Sequence, residues 1–91
     1  MEQSELNEIA RKLRLAVAIS PQSPVDLAMW YERSAALLKE LQAQFPDFEL
    51  PHEVHHYFAD GDIRAKDADY RAQQHAMMLE AIGRVERGDT G

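Results

Sequence analysis

Proline stands at positions 21, 24, 46 and 51 of this 91-residue chain, and glycine at 61, 83, 88 and 91. These two residue types punctuate backbone structure more strongly than any others, so they decide where regular elements stop. Between the breaks, apolar residues return every three or four positions, which is the period of a helix with one buried face. No segment alternates with period two over the length of a strand. The expected fold is all-α: an antiparallel hairpin of two helices, a short helix, and a long C-terminal helix packed across the hairpin.

The first helix is expected from about Ser4 to Ile19, with Ser4 as cap and Glu5 and Glu8 at the positive end of the dipole. Leu6, Ile9, Ala10, Leu13 and Val17 form its stripe, and Glu8 is spaced to pair with Lys12. After the break Ser20-Pro21-Gln22-Ser23, Ser23 is placed to cap, Pro24 to take the first helical position, and Asp26 to complete a capping box. Leu27, Trp30, Tyr31, Ser34, Leu37, Leu38, Leu41 and Phe45 then keep helical spacing until Pro46. A connection this short implies antiparallel neighbours. Phe48 and Leu50 are expected to pin the following loop to the core. A short helix from Pro51 to Ala59 comes next, then a turn at Asp60-Gly61-Asp62. Asp62 is expected to cap a long last helix reaching Arg87, with Gly88 stopping it and residues 88–91 fraying.

One domain is all that 91 residues support. With 45% hydrophobic and 29% charged residues, the composition is that of a folded polar-surfaced domain. No stretch approaches the roughly 20 apolar residues of a membrane span. The acidic start, Met1-Glu2-Gln3-Ser4-Glu5, lacks the basic region of an export signal, so a cytoplasmic location is the expectation. Absence of cysteine removes disulfides, thiolate metal sites and thiol nucleophiles. A net charge of −6 disfavours nucleic-acid backbones, and Arg11, Lys12 and Arg14, the one dense basic cluster, read as a solvated helix face.

His52-Glu53-Val54-His55-His56 fits H-E-x-x-H, the arrangement that sets two imidazoles and a carboxylate on one helical turn. Extended to Asp62, the spacing resembles over eleven residues the metzincin zinc peptidases, in which His52, His56 and Asp62 would hold zinc and Glu53 would activate a bound water. The chain departs from that pattern at Ala59, where a glycine is expected, and at Pro51, which ends the helix those enzymes continue upstream. On a helical wheel the three histidines share one side and Val54, Tyr57 and Phe58 the other. That is an amphipathic helix with its imidazoles in water, and three clustered imidazoles also suggest a response to mild acid. Asp60, Asp62, Asp67 and Asp69 lack calcium-loop spacing; they read as caps and solvated charge, with Asp67 placed to pair with Arg71. Phosphate-binding loops and nucleophile elbows are missing.

The last helix carries two apolar stripes, one of Ile63, Tyr70, Met77, Met78, Ala81 and Val85 and another of Ala65, Ala68, Ala72, Ala76, Leu79 and Ile82. A hairpin covers one side of a helix, so the other is expected to meet a second copy, as a two-fold homodimer, or another protein. Tyr70, Met77, Met78, Ala81 and Val85, with the Trp30-Tyr31 pair on the second helix, are the candidate partner-binding residues; His75 reads as a rim residue. The expected function is non-catalytic: a small binding or regulatory protein that docks to another protein, with no cofactor. Two alternatives follow from single features, a zinc hydrolase from the His52–His56 turn and an acidic inhibitor that imitates nucleic acid from the net charge.

Overall fold

Helix α1 (Gln3–Ala18) begins one residue before the expected start because Glu2, not Ser4, is the cap. The Glu5 carboxylate accepts from the Glu2 N–H at 3.3 Å, closing the first turn. Its inner face holds Leu6, Ile9, Ala10, Leu13 and Ala16, all buried, while Val17 is half-buried. In the computed structural model, which describes residues 1–89, the remaining elements are a 3-10 turn (Pro24–Asp26) and helices α2 (Leu27–Gln44), α3 (His52–Ala59), α4 (Gly61–Lys66) and α5 (Ala68–Glu86). All regular structure among the described residues is helical, and no helix is long and apolar enough to cross a membrane.

Ser23 stands at the N-cap and Pro24 at the first position of the second helical segment. The Ser23 hydroxyl makes no cap bond and the expected capping box does not close, because the first turn is tightened to 3-10 geometry, a common device at helix ends. Asp26 there accepts from the Gln22 N–H at 3.4 Å. Helices α1 and α2 form the expected hairpin: Lys12 donates to Gln44 at 2.7 Å and lies 3.6 Å from Glu40. Lys12 is thereby taken from Glu8, which pairs instead with Arg11 at 2.6 Å. Phe45, Phe48 and Leu50 are half-buried against the core, so the loop after α2 is anchored as its composition implies. Helix α5 then packs along α1, and Arg14 clasps Glu86 with two bonds of 2.6 and 2.8 Å.

The long last helix is broken where the sequence pattern runs on. Residues 61–66 form the separate helix α4, and Asp67 turns into extended backbone at φ −124° and ψ 107°. Asp67, rather than Asp62, caps the final helix by accepting from the Tyr70 N–H at 3.0 Å. Arg71, expected to pair with Asp67, reaches back to the carbonyl of Arg64 at 2.8 Å and that of Gln22 at 3.0 Å. One guanidinium thus satisfies carbonyls at the end of α4 and in the α1–α2 connection, a service the break requires. At the far end Gly88, at φ 72°, and Asp89 donate to Val85 and Arg84 at 3.0 and 2.8 Å. This is a Schellman cap, made by two of the residues expected to fray; Thr90 and Gly91 lie outside the described residues.

Breaking the helix lets α4 turn Arg64 inward. Its side chain is fully buried, with the guanidinium carbon 3.6 Å from the Tyr57 ring centroid and 4.8 Å from that of Trp30. Arg64 donates to Ser20 Oγ at 2.9 Å, to Gln74 Oε1 at 2.7 Å and to the Tyr57 carbonyl. Gln74 in turn donates to Asp60 at 2.8 Å, and the Tyr70 hydroxyl joins the same carboxylate oxygen at 2.7 Å. The amide of Gln74 therefore links a buried cation to a partly exposed anion without direct ion pairing. Desolvation pulls the Arg64 guanidinium below the usual arginine value, and nearby Tyr57 and Asp60 oppose it. Five segments meet at this one side chain, which makes it the fastener of the fold.

Candidate functional site: an apolar groove and a histidine pair

Helices α2 and α3 touch each other through a buried aromatic cluster and are otherwise held by the rest of the molecule. Trp30 and Ser34 hold α2 to the core, and Val54, Tyr57 and Phe58 hold α3. Trp30 meets Tyr57 and Phe58 edge-on at centroid distances of 5.9 and 6.0 Å, and that aromatic wedge keeps the helices apart. A groove of about 320 Å³ opens between them, walled by Tyr31, Ala35 and Leu38 on one side and His55, Phe58 and Ala59 on the other. Positions 31, 34, 35 and 38 fall on one helical face, the spacing with which a helix receives another helix. Tyr31 is 44% exposed although the sequence pattern assigns it to the core.

A second, wider depression of about 730 Å³ lies between Leu6, Gly88 and the loop before α3, bordered by Asp47, Glu49 and His52. Its mixed lining and lack of a regular wall give a partner helix less to fit.

The histidines of α3 separate by role. His55 lines the groove, whereas His52 and His56 lie on the solvent side, their Nε2 atoms 2.8 Å apart and their rings edge-on. The Glu53 carboxylate meets Arg84 of α5 at 2.6 Å. A hydrogen bond from its own backbone N–H, with help from Arg84, holds the Glu53 carboxyl below its ordinary range. It therefore stands as an ionised partner already engaged by the Arg84 guanidinium. Asp62 is exposed on α4, and no group of three or more potential ligands comes together among the described residues. The structure assembles two of the three expected ligands and not the third.

Of the candidate partner-facing residues, Trp30, Met78, Ala81 and Val85 belong to the chain's own core and are wholly buried. Tyr70 is half-buried and engaged with Asp60, and Met77 is 48% exposed. The core of α5 is drawn from both expected stripes, with Ile82 joining Met78, Ala81 and Val85. Left in water from the two stripes are Ile63 and Met77 of one and Ala68, Ala72, Ala76 and Leu79 of the other; the alanines are well suited to an exposed helix. His75 is half-buried, its ring tilted 5.7 Å from that of Tyr57. Burial, then Arg64 and Arg71, lower its pKa from the usual histidine value. Apolar periodicity does not mark the groove, Arg64 or Gln74, because each depends on side chains that separate helices bring together.

Comparison of the chain with known protein families, curated proteins and solved structures gave no match.

Proposed function

We propose that this is a non-catalytic docking protein that receives a helix of another protein in the groove between α2 and α3. The observation that carries the reading is the open apolar face of Tyr31, Ala35 and Leu38 opposite His55, Phe58 and Ala59. A helix-in-groove mode buries such side chains through i, i+3, i+4 and i+7 anchors of the incoming segment. The net charge of −6 selects the partner's chemistry, an amphipathic helix with a basic polar face, whose approach the field accelerates. On this reading the protein acts by occupancy, sequestering or positioning the partner.

Self-association belongs to a different surface. Ala72, Ala76 and Leu79 present an exposed apolar face on α5 against which a second α5 can pack across a two-fold axis. Sedimentation equilibrium at tens of micromolar tests it: a dimer that Leu79→Glu dissociates is expected, and a strict monomer would remove this part of the reading while leaving the groove untouched.

For the groove, Leu38→Glu places a charge in the apolar wall at a half-buried position. Retention of the natural partner on immobilised protein should fall by tenfold or more, with the circular dichroism spectrum unchanged. Undiminished retention would refute the assignment.

A further inference from the structure

We propose that His52 and His56 form a binding site for a tetragonal divalent cation of the copper(II) or nickel(II) class. The site is separate from the groove and does not depend on it. Its basis is geometric. The two Nε2 atoms are 2.8 Å apart on successive turns of α3. With metal–nitrogen bonds of about 2.0 Å, that separation subtends about 90° at the ion, the angle between neighbouring ligands in a square-planar or tetragonal site. Two imidazoles one helical turn apart can close such a site with small side-chain rotations, and the affinity order of first-row cations at nitrogen and oxygen ligands puts Cu(II) first, above both Ni(II) and zinc.

The rest of the turn is arranged so that the pair is free to chelate. Both imidazoles are exposed, and the carboxylate between them, Glu53, is committed to Arg84 at 2.6 Å. Val54, Tyr57 and Phe58 anchor the opposite face of α3 in the core, so the helix that sets the spacing is held by packing rather than by the metal. One imidazole donates its Nε2–H to the other. On metal binding that proton moves to Nδ1 of the same ring, freeing both Nε2 lone pairs with no net charge change on the protein. Water completes the coordination. Because the chelate exists only when α3 is helical, occupancy must also stabilise the fold.

The test is calorimetric titration of the intact chain with CuCl2, NiCl2 and ZnCl2 at pH 7.5, with electron paramagnetic resonance of the copper form. The double variant His52→Ala/His56→Ala gives the background from the terminal amine and carboxylates. One ion per chain above that background is expected, with copper tighter than zinc and two imidazole nitrogens in the copper spectrum. Each single variant, His52→Ala or His56→Ala, should weaken copper by at least tenfold, since even outer partners of metal ligands are worth that much. His55→Ala and His75→Ala should leave binding intact. Copper should also raise the melting temperature of the native chain and of His55→Ala, but not of the double variant. Equal binding in the double variant, a spectrum without imidazole nitrogen, or zinc tighter than copper would overturn the proposal.

Discussion

Gly61 has an ordinary helical backbone, and its lack of a side chain serves the core instead. A β-carbon at that position would lie 2.2 Å from Nε1 and 2.4 Å from Cδ1 of Trp30, more than 1 Å short of ordinary contact. Trp30 cannot retreat, being fully buried and held by Tyr57, Phe58 and the Arg64 guanidinium. Gly61→Ala therefore overpacks the centre of the molecule, which costs about 1–3 kcal/mol. The helical preference of alanine returns at most about 1 kcal/mol, and less in the first turn of α4. A net loss of about 2 kcal/mol is expected, or about 10 °C in melting temperature for a domain of this size. Urea denaturation followed by circular dichroism and Trp30 fluorescence measures it directly. Gly83→Ala is the matched control: its methyl would meet only the tip of Arg87, at 3.3 Å, so the substitution should be neutral or stabilising by up to about 1 kcal/mol. If Gly61→Ala were as stable as the native chain, or no worse than Gly83→Ala, the packing argument around Trp30 would be wrong.

Asp67→Ala removes the cap of α5 and should cost about 1 kcal/mol in urea denaturation. Arg64→Ala leaves Gln74, Ser20 and the Tyr57 carbonyl without their donor and opens space between two rings; a loss of about 3 kcal/mol or more is expected, and a native-like midpoint would show that the fastener is dispensable. Acidification should weaken the fold. His75 and Glu53 both have folded pKa values below their unfolded ones, so the unfolded chain binds more protons and stability rises with pH. The His75 contribution is complete above the unfolded histidine value and disappears as pH falls through the folded one; that of Glu53 is lost at lower pH, through the carboxylate range. Denaturation midpoints should fall between pH 7.5 and 5.5, and His75→Gln should flatten that part of the profile.

Much of the architecture was legible because α1 and α2 obey simple periodicity: Leu6, Ile9, Leu13, Trp30 and Leu41 point inward as their spacing requires. The division of the last helix was not, because Ile63, Ala65 and Ala68 continue an apolar pattern across the break. The signal that marks it is polar, a capping aspartate at 67 followed by Asp69 in the first turn, and it competes with an equally plausible cap at Asp62. Likewise the buried positions of Arg64 and Gln74 depend on partners from distant segments. An arginine reads as surface until Ser20, Tyr57 and Trp30 are brought around it. The histidine turn was visible at once, yet only the fold reveals that Glu53 belongs to Arg84 and that Asp62 stays apart.

Photo-crosslinking resolved by position tests the docking account most directly. A benzophenone side chain at position 35, in the wall of the groove, should capture one partner segment from native cell extract. That segment should be helical and basic on one face, and a synthetic peptide of it should compete for capture. The same reagent at position 72, on the outer face of α5, should not give this adduct, and Leu38→Glu should abolish it. No adduct specific to position 35, or the same adduct from both positions, would contradict the claim that the groove between α2 and α3 is where this protein binds.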